Sequence, residues 1–228
     1  MVVDIRPRVR SSVGLKIVMA TSGALLMLFL YAHMVGNLKI FFGAGPFDSY
    51  AHWLRTIGEP VLPYRWYLWI QRAGLTVAAI AHIAAATILT RRARRARPVR
   101  YAHRPAVQGS YAARTMRWGG VIILLFVIYH LLDLTTGTLN PVADRAHPSA
   151  NLLADFTPSR WYVTLAYTVA VAAVGLHVWH GIFSAVRTLG QRTARGERVA
   201  RAAAGILSFV LVAGFLSVPA AVLTSVVS

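Results

Sequence analysis

Leu176-His177-Val178-Trp179-His180-Gly181 lies inside a run from Trp161 to Val186 that contains no Asp, Glu, Lys or Arg. A run of this kind is long enough to cross a bilayer as a helix, which takes roughly 20 apolar residues. Two histidines within it are costly to hold in hydrocarbon, and ionisable groups at that depth mark a functional site by default. The pair admits three readings on its own: a metal site, a proton relay, or one haem ligand with a neighbour. The rest of the chain decides between them.

The chain has 228 residues, of which 57% are hydrophobic and only 14% charged, against about 25% charged in ordinary globular chains. A net charge of +17 would suit nucleic acid if it were spread over a soluble surface. Here the basic residues cluster between apolar runs, which is the membrane pattern, and no nucleic-acid partner is expected. There is no cysteine. That excludes disulfides, thiolate-held iron–sulfur clusters, thiolate zinc sites and cysteine nucleophiles together. The basic segment Met1 to Ser12 precedes an apolar run longer than a signal-peptide core, so cleavage is not expected.

Five segments are long enough to span: about Val13–Phe42, Tyr64–Thr90, Trp118–Leu139, Trp161–Val186 and Ala202–Ser228. The second is interrupted by Arg72 and the third by Asp133. The third is the weakest by hydropathy, since its uncharged core is Trp118–Leu132. All five are expected to be α-helices, because lipid offers no partner to open backbone groups. The predicted architecture is a single all-α integral membrane domain over 1–228. It has five transmembrane helices and a four-helix bundle core.

Charge predicts orientation. The N-terminal arm, the Arg91–Arg117 connection and the Arg187–Arg201 connection hold 18 basic residues against Asp4 and Glu197. The other two connections balance Lys39, Arg55, Arg65, Arg145 and Arg160 against Asp48, Glu59, Asp133, Asp144 and Asp155. The positive-inside rule then places the N-terminus in the cytoplasm and the C-terminus outside. The run Arg91-Arg92-Ala93-Arg94-Arg95 reads as a topology anchor in contact with lipid headgroups. Trp53, Trp66, Trp69 and Trp161 read as an aromatic belt at the outer interface.

Of eight histidines, His103 and His147 fall in loops and His52 near the start of the second span. The others fall within spans: His33 on the first, His82 on the second, His130 on the third, His177 and His180 on the fourth. At the helical rise, His82 lies about 14 Å from Arg91 and His177 about 15 Å from Arg187. His33 lies about 25 Å from Lys16 and His130 about 20 Å from Arg117. So His82 and His177 share a level nearer the cytoplasm, and His33 and His130 one nearer the outside. Two pairs at two depths, each from two helices, suit two bis-histidine haems b in a bundle core. Six-coordinate iron of that kind serves electron transfer, because it has no open position for oxygen. A single zinc would need its ligands at one depth. A di-iron site would need Glu-x-x-His motifs, which the spans lack. A proton relay normally mixes carboxylates with histidine, and only Asp133 qualifies.

Glycines Gly23, Gly36, Gly74, Gly119, Gly120, Gly175 and Gly181 lie in or beside the spans. They would let a flat macrocycle approach, or equally let helices pack through small residues. Lys39, Arg72 and Arg117 near span ends are candidates for haem propionates, or for snorkelling to headgroups. His180 is a candidate for the haem pocket. Residues at i and i+3 share a helix face, so His177 and His180 cannot be opposite axial ligands of one iron.

These residues carry a resemblance. Lys16-Ile17-Val18-Met19-Ala20-Thr21-Ser22-Gly23, Ala32-His33-Met34-Val35-Gly36-Asn37-Leu38, Ala81-His82-Ile83 and Tyr129-His130-Leu131 form a series along the first three spans. Leu176-His177-Val178-Trp179-His180-Gly181-Ile182-Phe183-Ser184, followed by Thr188-Leu189-Gly190, continues it on the fourth. Over nearly the whole chain the series resembles the five-helix, di-haem cytochrome b membrane subunit of succinate:quinone oxidoreductases, the succinate dehydrogenase and fumarate reductase group.

The resemblance implies a membrane-anchor subunit of complex II, a tricarboxylic acid cycle enzyme, in the inner (cytoplasmic) membrane. Succinate oxidation would take place on a separate flavoprotein. Electrons would pass through an iron–sulfur subunit docked on the cytoplasmic face to the haem of His82 and His177. The haem of His33 and His130 would come next, then a membrane quinone, menaquinone in preference to ubiquinone. The family's fourth ligand corresponds to His177 rather than His180. Some fumarate-reducing relatives carry a glutamate just before that ligand, where this chain reads Ala173-Val174-Gly175-Leu176, so their proton pathway is not expected here. Quinone candidates are His52, Glu59 and Arg72 on the outer side, and Lys16, Ser22 and His180 on the inner side. The complex itself could form a higher oligomer. Two other readings compete: a haem-free structural anchor, and a proton-coupled transporter, which the lack of inverted repeats disfavours.

Overall fold

The computed structural model describes residues 11–96, 111–188, 190 and 193–227, with backbone alone over 111–115. The basic arm over 1–10, His103 with most of its connection, Leu189 and Arg192 lie outside the described residues. The chain is all-helical, and five helices are long and apolar enough to cross a membrane.

Helix α1 spans Ser12–Leu38 and tightens into a 3₁₀ turn over Lys39–Phe42. Ser11 caps it, its hydroxyl accepting from the Gly14 amide at 2.9 Å, which satisfies one otherwise open donor. Gly43, at φ 104°, then turns the chain into α2, Ala44–Thr56. The long α3, Trp66–Arg95, returns to the starting end. Arg92 there donates to the Ser12 hydroxyl at 3.3 Å. α4 runs Tyr111–His130 and continues as a π-helix over Leu131–Thr135. α5 is Pro148–Asp155, and a 3₁₀ turn at Pro158–Arg160 leads into α6, Trp161–Thr188. Thr193 caps the last helix, α7, Ala194–Leu223.

Helix ends differ from the expected bounds where charge, rather than hydropathy, governs. α3 continues past Thr90 through the arginines, which are good helix formers and can snorkel from lipid to water. α4 begins at Tyr111 and its π-helical extension ends at Thr135, before Leu139. α7 starts at Ala194, ahead of Ala202, and ends at Leu223, ahead of Ser228. The short α2 and α5 stand where loops alone were expected.

α1 packs along α3, and α4 along α6, while α7 lies on α6 and α1. Between the α1/α3 and α4/α6 pairs direct contact is sparse, since α1 meets α6 lightly and α3 and α4 hardly meet. Small residues allow the close approaches. A side chain at Gly175 would collide with Val212 of α7, and one at Gly214 with Met34 of α1. The Tyr31 hydroxyl donates to the Leu207 carbonyl at 2.8 Å and ties α1 to α7. Elsewhere the helices present apolar side chains outward, such as Leu25, Leu28, Val77, Ile80, Leu125 and Phe209. Such faces suit hydrocarbon better than water.

The arginine-rich end carries Arg91–Arg95, Arg117, Arg187 and the start of α7. The opposite, loop end is a folded cap. The Asp48 carboxylate on α2 accepts from the Ser149 amide and hydroxyl at 2.9 and 2.8 Å, holding the first turn of α5. Buried Asn140 accepts from the Val142 and Ala143 amides and donates to the Asn151 carbonyl and to Asp155. Ile40, Leu152, Phe156, Val163, Tyr167 and Val218 form the apolar core beneath. Trp53, Trp66, Trp69 and Trp161 are exposed at this end and Trp118 at the other, as two aromatic belts would be.

Candidate functional site

Four histidines meet in two pairs, and each pair bridges the two helix pairs. His33 of α1 faces His130 of α4 with ring centroids 5.8 Å apart and planes at 78°. His82 of α3 faces His177 of α6 at 6.1 Å and 61°. The first pair lies toward the loop end and the second toward the arginine-rich end, matching the levels expected from helical rise. His180 sits one turn beyond His177, half-buried, and it is His177 whose ring meets His82. Among the described residues no three His, Asp or Glu side chains converge as a metal-ion cage. The histidines therefore stand as two pairs rather than one polynuclear cluster.

The surroundings orient the rings. His82 Nδ1 lies 3.0 Å from the Met19 carbonyl, which can only accept, so Nδ1 carries the proton and Nε2 keeps its lone pair. Ser22, buried behind it, spends its hydroxyl proton on the Val18 carbonyl at 2.6 Å and lies 3.4 Å from the same Nδ1. Gly23 completes that side, since a Cβ there would stand 3.1 Å from His82 Cε1. Gly120 lies beside His177, where a Cβ would stand at an ordinary 3.9 Å from Cε1. His177 Nδ1 is buried with no hydrogen-bond partner among the described residues. A polar atom left so costs roughly 1–3 kcal/mol unless a bound group satisfies it.

At the loop-end pair, His130 Nδ1 lies 3.2 Å from the Tyr167 hydroxyl, which donates to Asp133 Oδ2 at 3.3 Å. Asp133 is fully buried on the π-helix directly after His130. Such insertions re-aim side chains and recur at functional sites. Phe29 stacks on His33 at 5.4 Å, with Phe215 at 5.9 Å. Asp155, fully buried, bonds Arg160 at 3.0 Å. Burial pushes its carboxyl up to about 7, the neighbouring Asp133 adds to that, and Arg160 and Asn140 oppose it.

A haem can be tested against this frame. A metal–imidazole bond is about 2 Å and a ring nitrogen sits roughly 1 Å from its own centroid, so two axial imidazoles have centroids about 6 Å apart. Both observed separations match. The fixed Nε2 of His82, the glycines against His82 and His177, and the sparse contact between the helix pairs all suit a flat group seated there.

The remaining candidates are dispersed. Lys39 lies over the Tyr50 ring at 5.1 Å and Arg72 over Trp69 at 5.0 Å. Arg117 lines a cavity of about 530 Å³ with Thr90, Ala93 and Arg94 at the arginine-rich end. Lys16 is exposed on α1, and His52 and Glu59 are exposed at the loop end. Gly36 meets Tyr50 rather than a histidine, while Gly74, Gly119 and Gly181 face open space. His147 is exposed and bonded to Asp144 at 2.9 Å, a hydrogen bond that raises its pKa. Tyr167 was not foreseen. Nothing in its sequence neighbourhood marks it, although Asp133, three residues after His130, marks the other end of its hydrogen bonds. No protein-family model, curated protein or solved structure matches the chain.

Proposed function

We propose that the chain is the cytochrome b membrane anchor of a succinate:quinone oxidoreductase, holding two haems b between His82 and His177 and between His33 and His130. The observation that carries this reading is the pair of histidine pairs, at two depths, each with the ring spacing of axial ligands on one iron. Two bis-imidazole haems would supply one-electron transfer between an iron–sulfur partner and a membrane quinone.

The protein's own part is to hold and insulate. Met19 fixes the ring of His82, and Gly23 and Gly120 leave room beside the rings. Arg117 and Arg94 line the cavity at the arginine-rich end, where carboxylate groups of a bound haem would find positive charge. The clustered arginines support a cytoplasmic arginine-rich end in the inner membrane. The flavoprotein and iron–sulfur subunits would dock at that end. The quinone, menaquinone in preference to ubiquinone, would bind at a lipid-facing edge.

A haem-free anchor would also place these rings edge to face, as helix staples. The test is a dithionite-reduced minus oxidised spectrum of the purified protein with haem quantitation. Reducible b-type absorption at two haems per chain is expected, and its absence sinks the proposal.

A further inference from the structure

Tyr167 has one hydroxyl proton and donates it to Asp133 Oδ2. The 3.2 Å contact to His130 Nδ1 therefore has the histidine as donor. The chain runs His130 Nδ1–H to Tyr167 to Asp133. This fixes His130 as the Nδ1-protonated tautomer, with the lone pair on Nε2. Its counterpart at the other pair ends differently, because His82 Nδ1 donates to the neutral Met19 carbonyl.

Resting on the di-haem reading above, we infer that Tyr167 and Asp133 are positioning residues that make His130 a more electron-donating ligand and hold down the reduction potential of that haem alone. The reason is electrostatic. Hydrogen bonds from a ligand's second nitrogen raise its basicity, and a basic ligand favours the oxidised metal. A chain ending on a carboxylate polarises more than one ending on an amide, and burial strengthens it. Asp133 is 0% exposed, with the Tyr129 hydroxyl and the Asp155 carboxyl as its other polar neighbours. Tyr167 cannot swing away. Phe126 and Phe156 stand edge-on to its ring at 4.8 and 5.0 Å, both at 89°.

The test is an optical redox titration of the full-length purified protein as parent, Tyr167→Phe and Asp133→Asn. Tyr167→Phe keeps the ring and its packing and removes only the hydroxyl. One of the two midpoint potentials should rise in each variant, by roughly a tenfold change in the oxidised-to-reduced ratio, about 59 mV for one electron. The other should stay where it is in the parent. Unchanged potentials in both variants, or equal shifts of both haems, overturn the inference. If Tyr167→Phe loses the haem, Asp133→Asn decides alone, since it leaves the Tyr167 hydroxyl in place, and an unmoved potential there is fatal. A parent without haem refutes the proposed function itself, which is a separate outcome.

Discussion

His82 and His177 face each other at 6.1 Å from helices that belong to different packed pairs, α1/α3 and α4/α6. Neither ring owes its place to the other helix. Met19 of α1 holds His82, and α6 carries His177 with its Nδ1 unpaired. Truncating one ring should therefore empty one site and leave the other. His177→Ala is expected to halve the haem content, and His33→Ala to halve it at the other level. The double variant should retain none. Pyridine-haemochrome quantitation reads this, and equal haem in parent and His177→Ala would refute the pairing.

Gly23 comes closer to that site than Gly120 does. An added Cβ would stand 3.1 Å from His82 Cε1 and 3.3 Å from Nδ1, close enough that the imidazole must give way by a few tenths of an ångström. Alanine asks for that small shift. Valine adds two further methyl groups against a ring pinned by Met19. Overpacking of this kind costs about 1–3 kcal/mol. Gly23→Val should lower the melting midpoint and lose the His82/His177 haem, whereas Gly23→Ala should keep both haems. Full haem in Gly23→Val would show that this face of His82 is slack.

The five spans were legible because lipid imposes one rule: a helix with a long, mostly apolar run. The depth of each histidine was legible too, because helical rise is constant. What lay beyond reach was lateral. Ser22 reads in sequence as an inner-side quinone candidate, and only helix packing turns it toward His82. Tyr167 lies ten residues from His177 on the same helix, and it serves the other pair. The π-helix after His130 breaks the 3.6-residue period on which face assignment depends. α2 and α5 escaped because Gly43, Gly45, Pro46 and Pro148 read as turns. Pro46 sits in the first turn of α2, where its missing N–H has no intrahelical partner to lose.

The loop-end cap makes its own prediction. Asn140 makes four hydrogen bonds from a buried position, two accepted and two donated. Asn140→Ala leaves the Val142 and Ala143 amides and an Asp155 oxygen without that partner. The expected cost is on the order of 2–4 kcal/mol, a few buried hydrogen bonds' worth. Thermal melting in detergent should show it, with the haem ratio unchanged because no histidine ligand touches Asn140. Haem loss at unchanged melting temperature would mean that the cap and the His33/His130 site are one unit.

Asp155 gives the cap a pH dependence of definite sign. Its carboxyl is pushed up to about 7 in the folded chain, by burial first and by Asp133 second. An unfolded aspartate titrates near 3.9. Between these values the folded state binds the proton that the unfolded state has released, so stability falls as pH rises across that window. The contribution is fully present below about pH 4 and gone above about pH 7, with an upper bound of about 4 kcal/mol. Asp155→Asn removes the titration. It also leaves one acceptor oxygen where Arg160 and Asn140 each have their own, so it should melt lower than the parent at every pH. The gap between parent and variant is the informative quantity. It should be widest at and below about pH 4 and narrow toward pH 7. A gap that widens with rising pH would mean that Asp155 is held as a carboxylate by Arg160, with Arg160 outweighing both burial and Asp133.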